Sequence, residues 1–113
     1  MKSELTDHVR LGHIYECIVE IETALHGKNF ETFSEDHVLR IAVVKWLEII
    51  GEAANHITDE TKDKFSNVEW RKMVGLRNTV VHEYFGVNYE IIWLAATTLL
   101  KNLKEQISII TLS

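Results

Sequence analysis

Proline is absent from this 113-residue chain, and glycine occurs only five times. So few chain breakers leave no flexible linker, internal repeat or low-complexity segment, and helices should dominate. There is one cysteine, Cys17, which excludes an internal disulfide. Its place inside an apolar pattern reads as a buried structural thiol in a reducing compartment. No basic start followed by an apolar run marks a signal peptide. The longest apolar stretch, at 91–100, is far short of the ~20 residues that span a bilayer, so a cytoplasmic protein with no membrane partner is expected. Histidine numbers six, yet none forms a His-x-x-x-His pair or joins cysteines at zinc spacing. Gly51 and Gly75 stand alone inside helical patterns and make no phosphate-cradling loop. The expectation is a protein without a metal site and with no cofactor.

The formal charge of −5 disfavours indiscriminate nucleic-acid coating, which needs Lys and Arg to neutralise phosphates. The charge is uneven. Residues 1–66 carry 7 basic against 13 acidic side chains, and residues 67–113 carry 5 against 4. Any RNA contact should therefore centre on the second half. The acidic first half either suits a basic protein partner or simply solvates helix faces.

What is present is helical periodicity. Ile14, Ile18, Ile21 and Leu25 mark one face of a first helix that stops near Gly27, a natural left-handed cap. Ser34, followed by Glu35 and Asp36, reads as the start of a second helix through Leu39, Val43, Trp46, Ile50, Ala53 and Ile57. Thr58 caps a short acidic helix at 59–65. Asn67 caps a fourth, through Trp70, Val74, Val81 and Tyr84, which Gly86 ends. Asn88 and Glu90 begin the last, with Ile92, Ala95, Leu99, Leu103 and Ile107 on its inner side. Trp46, Trp70 and Trp93 fall at packing positions. The spacing predicts one all-α domain over 1–113, an antiparallel up-and-down bundle of four to five helices.

One stretch carries chemistry: Arg77-Asn78-Thr79-Val80-Val81-His82-Glu83-Tyr84. Imidazole, with a pKa near ~6.5, can move a proton to or from a ribose hydroxyl or a leaving oxygen. Guanidinium can hold a phosphate and offset charge growing on it. At ~100° per residue, Arg77 and His82 lie ~140° apart around one helix and cannot share a stripe. Arg77 aligns instead with Tyr84, and Asn78 with His82. One copy offers an incomplete site, whereas two copies facing across a two-fold axis can surround one cleft, so a homodimer is expected. The apolar surplus on several helices points the same way.

Taken alone, an Arg-x4-His pair is weakly specific. Its context is more telling. Arg77-Asn78 followed by Val81-His82-Glu83-Tyr84 resembles the Arg-x4-His-x-Tyr signature of HepT-type toxins in the HEPN superfamily. Leu47-Glu48-Ile49-Ile50-Gly51-Glu52-Ala53-Ala54, Trp70, Val87-Asn88-Tyr89 and Ile92-Trp93 extend the likeness over nearly the whole chain. The family more often has Asp where Asn88 stands, and a proline usual before the tryptophan is missing.

The resemblance implies a dimeric helical bundle with both signature motifs at the interface, acting as a metal-independent endoribonuclease toxin. It also implies a nucleotidyltransferase antitoxin as partner, able to transfer AMP from ATP to Tyr84. His82 would be the general acid/base, Arg77 the phosphate-binding group and Asn78 an orienting group, with Glu83 in a tuning role. Glu52 has two readings: a seam residue pairing across the dimer axis, or a solvent-facing helical glutamate. Tyr84 likewise is either the modified residue or a tyrosine packed at a helix end. Two further functional readings stand. One is a non-catalytic, nucleotide-binding or regulatory subunit of a nucleotidyltransferase. The other is a plain helical interaction module.

Overall fold

The computed structural model describes residues 2–78 and 88–111, and all regular structure among them is helical. Helix α1 (Lys2–Leu25) buries Leu11, Ile14, Ile18, Ile21 and Leu25, spaced three and four residues apart. It ends where expected. Gly27 takes φ +74°, a left-handed conformation that costs a residue without Cβ nothing.

Ser34 does not start a helix. Helix α2 (Phe30–Glu35) begins earlier, capped by Asn29, whose side chain accepts from the Thr32 N–H at 2.8 Å. The Thr32 hydroxyl reciprocates on the Asn29 N–H at 2.9 Å, completing a capping box. Ser34 sits inside α2 and donates back to the Glu31 carbonyl. Asp36 is the cap that opens α3 (His37–Asn55), accepting from the Leu39 N–H at 3.0 Å. Among three neighbouring side chains with equal capping chemistry, the packing of Phe33 decided. That ring is fully buried against Trp93, with centroids 5.4 Å apart.

Helix α3 buries Val43, Val44, Leu47, Ile50 and Ala54, and packs along α1. Thr58 caps α4 (Asp59–Lys64) as its sequence suggests. Asn67 does not cap the next element. Helix α5 (Trp70–Val74) starts after Glu69, whose N–H is satisfied by Gln106 at 3.0 Å, from a residue distant in sequence. Past the turn at Gly75 the chain is helical again over 76–78. The predicted continuation through Val81 and Tyr84 to Gly86 lies outside the described residues.

Asn88 opens α6 (Tyr89–Leu94) by accepting from the Glu90 N–H, as expected. The final helix is not regular, however. A π-helical segment (Ala95–Leu99) separates α6 from α7 (Leu100–Thr111), and Thr97 bonds back to the Trp93 carbonyl at 2.7 Å inside it. A π-turn shifts the register, so Ala96 and Leu100 join the core and Leu99 is only half-buried. Ile92, Ala95, Leu103 and Ile107 are buried as predicted.

Asp7 is the one buried charged residue among those described, 1% exposed. Its carboxylate ties α1 to the α4 cap, accepting from the Thr58 hydroxyl at 2.5 Å, the Thr61 hydroxyl at 2.6 Å and the Thr58 N–H at 3.2 Å. Burial acts to raise its pKa, but these three donors outweigh burial, Arg10 adds attraction, and the group titrates below its ordinary value. A depressed folded-state pKa stabilises fully above the unfolded value, near ~3.9, and the gain is lost as pH falls through the folded value. Asp7→Ala should therefore lower unfolding stability by about 2 kcal/mol or more at neutral pH, because bonds to a charged acceptor are lost. The gap between wild type and Asp7→Asn should narrow in denaturant titrations repeated below pH ~4. An unchanged gap would show that the ionised carboxylate contributes nothing.

Candidate functional site

Trp70, Met73 and Leu76 recur every three residues and are all buried, which anchors the 70–78 segment to the core. Arg77 is left half-buried beside α3, and Asn78 faces solvent. A tightened turn links them to α5, with the Asn78 N–H donating to the Gly75 carbonyl at 3.0 Å.

The surface that receives Arg77 is Gly51. A Cβ at that position would lie 2.8 Å from the Arg77 backbone nitrogen, 3.0 Å from its Cβ and 3.3 Å from the Val74 carbonyl oxygen. Only glycine lets the two backbones approach this closely. Glu52 follows directly, and its carboxylate meets the Arg77 guanidinium at 3.2 Å. The partners are 51% and 38% exposed, so the pair stabilises the fold by no more than about 1 kcal/mol. Its effect is directional. One Nη is engaged, and guanidinium has five N–H donors, which leaves others to bind an anion.

Arg77, Asn78 and Glu52 are thus brought together on α3 and the 76–78 stretch. His82, Glu83 and Tyr84 lie outside the described residues. Within the single chain Glu52 is exposed, and its described partner is Arg77. That pairing was missed in the sequence, as was the role of Gly51. The signal was available: a lone glycine interrupting the buried face formed by Leu47, Ile50 and Ala54 marks a close approach.

The other candidates are structural. Cys17 is free and half-buried, and burial together with Glu20 and Glu16 pushes its thiol pKa up, which suppresses the nucleophilic thiolate. Trp70 is 8% exposed and donates its indole N–H to the Phe65 carbonyl, and Trp93 packs on Phe30 and Phe33. Among the described residues, no three His, Cys, Asp or Glu side chains converge as a metal cluster, and no helix is long and apolar enough to cross a membrane.

Gly51 and Gly12 make a matched pair for testing this geometry. Gly12, inside α1, has nothing within 4 Å of a built Cβ. Gly12→Ala should stabilise the protein by up to ~1 kcal/mol through helix propensity. Gly51→Ala gains the same propensity but must push Arg77 away, at a cost of about 1–3 kcal/mol. Its melting temperature should fall while that of Gly12→Ala rises. Equal shifts in thermal denaturation would refute the close approach.

Residues 14–110 match the family model described as Ribonuclease HepT-like. A "Putative RNase" of Caldanaerobacter subterraneus subsp. tengcongensis is 47% identical over 96 residues, covering 84% of this chain and 82% of that protein. A "Putative RNase" of Methanocaldococcus jannaschii is 38% identical, covering 73% and 75% respectively. The "Probable ribonuclease HepT" of Thermococcus cleftensis is 36% identical, covering 86% and 82%. No solved structure matches. By sequence, and with a helical fold that accords with it, the chain belongs to the HepT-like family of the HEPN superfamily.

Proposed function

We propose that this protein is a metal-independent endoribonuclease, the toxin of a toxin–antitoxin pair, working as a homodimer. The observation that carries the reading is the presentation of Arg77. It is held by the Gly51 contact and the Glu52 carboxylate, with Asn78 beside it, five residues before His82. Relatives named "Putative RNase" and "Probable ribonuclease HepT" support the ribonuclease part of the reading.

The reaction uses the substrate's own nucleophile. The ribose 2′-oxygen attacks the adjacent phosphorus and gives up its proton, the bond from phosphorus to the 5′-oxygen breaks, and that oxygen takes a proton. The products are a 2′,3′-cyclic phosphate and a 5′-hydroxyl. His82 serves as general acid/base for these transfers. Arg77 binds the phosphate and balances the charge that grows on its oxygens. Asn78 orients the phosphate or the imidazole, and Glu83 tunes the imidazole. Glu52 is a positioning residue that holds the guanidinium until substrate competes for it. Five residues' spacing on a continuous helix would set Arg77 and His82 ~140° apart, so on this reading each cleft combines groups from two copies of the chain.

On a continuous helix, seven residues' spacing would align Tyr84 with Arg77. An AMP group transferred from ATP to its hydroxyl, with pyrophosphate leaving, would set an anionic phosphodiester against the guanidinium and fill the cleft. The partner implied is a nucleotidyltransferase antitoxin.

Cleavage should survive EDTA and leave cyclic-phosphate ends, and a folded His82→Ala protein should be slower by at least ~10²-fold. Mixing Arg77→Ala and His82→Ala subunits should restore part of the activity. Loss of cleavage with chelator, or full activity in a monomer by light scattering, would overturn the mechanism. Incubation with the nucleotidyltransferase and ATP should add AMP at Tyr84 by mass spectrometry, and Tyr84→Phe should stay toxic yet escape silencing. Equal silencing of Tyr84→Phe would make Tyr84 structural.

A further inference from the structure

Beside the Arg77 site runs a groove of about 440 Å³ lined by Asn55, Lys62, Trp70, Arg71, Val74 and Asn78 together with Gly75. Its lining runs against the net charge of the chain. The chain carries a net charge of −5, yet this groove holds two cations and two amides and no carboxylate. The side chains of Lys62 and Arg71 make no ion pair or hydrogen bond with another described residue, whereas Lys45, Lys72, Arg77 and Lys104 are each paired with a glutamate. Unneutralised positive charge gathered in a concave surface of an acidic protein concentrates the field there and attracts anions. Trp70 forms an apolar wall, its indole N–H already used on the Phe65 carbonyl, so it offers surface without a free donor.

The groove is continuous with the candidate site, because Asn78 belongs to both. We infer that it is a subsite for the RNA strand flanking the scissile phosphate, in which Lys62 and Arg71 each bind one of two successive phosphodiesters and Asn55 and Asn78 hydrogen-bond to sugar or base edges. This rests on the reading that the Arg77 site cleaves RNA. The volume suits one nucleotide, falling within the roughly 300–1,000 Å³ usual for small-ligand pockets. The phosphate contacts carry no base preference of their own.

The test separates binding from cleavage. The probe is a fluorescent 2′-O-methyl oligoribonucleotide about 12 nucleotides long, whose blocked 2′-oxygen prevents reaction, titrated by anisotropy across a salt series. Lys62→Gln with Arg71→Gln should weaken binding about tenfold and flatten the log K against log salt slope by roughly 1–1.5, for two phosphate contacts on a single strand. Arg71→Gln alone, at an exposed position, should flatten it by roughly half as much and guards against a fold defect in the double variant. Lys28→Gln with Lys101→Gln, the same change in net charge outside the groove, should leave the slope near wild type. Turnover of a dinucleoside monophosphate, too short to reach the groove, should be unchanged in the Lys62/Arg71 variant while cleavage of long RNA falls. Equal slopes for the two double variants, or no binding by wild type, would overturn the subsite. Absence of cleavage by wild type with the slope change intact would instead overturn the nuclease reading and leave an anion-binding groove.

Discussion

Helix α3 and the segment carrying Arg77 meet backbone to backbone at Gly51, and the candidate site depends on that contact. Tight packing leaves helices little freedom to slide, and a missing Cβ at the crossing fixes the distance as well as the register. Because Trp70, Met73 and Leu76 are buried on the same segment, Arg77 stands on a stretch anchored to the core. Glu52 can reach the guanidinium only because its helix comes this close. A functional side chain placed this way needs no strong ion pair to hold it, which fits the weak energy expected of so exposed a pair.

Two carboxylates show how burial changes what one chemical group does. Asp7 is buried among neutral donors, keeps its charge through three hydrogen bonds, and fastens α1 to the cap of α4. Glu52 is half in solvent, faces a cation, and orients that cation at little energetic cost to the fold. The first is architecture, sensitive to acid. On the proposed reading, the second holds the cation where a phosphate would compete for it. Lys62 and Arg71 follow a third pattern, cations with no carboxylate among the residues lining their groove.

The last helix shows how a core absorbs an irregularity. The π-segment at Ala95–Leu99 adds a residue to the turn, so the buried positions pass from Ile92 and Ala96 to Leu100, Leu103 and Ile107 without a break. Ala95 and Ala96 within it are both buried. Ile91 and Leu94 are left exposed on the outer side.

The sequence alone was enough to establish the helical class, the glycine stop at Gly27, and the caps at Thr58 and Asn88, because each rests on backbone chemistry within a few residues. It also carried the family, through motifs spread along the chain. It misplaced the caps near Ser34 and Asn67, where several residues share one local chemistry. At the first, burial of Phe33 against Trp93 chose among them; at the second, Gln106 supplied the partner from far along the chain. The π-turn was equally hidden, since its alternative differs by one residue of register. The pairing of Glu52 with Arg77, and the meeting of Lys62 with Arg71, belong wholly to tertiary structure. Those residues lie on separate helices, and only packing of the whole core decides which faces of two helices meet.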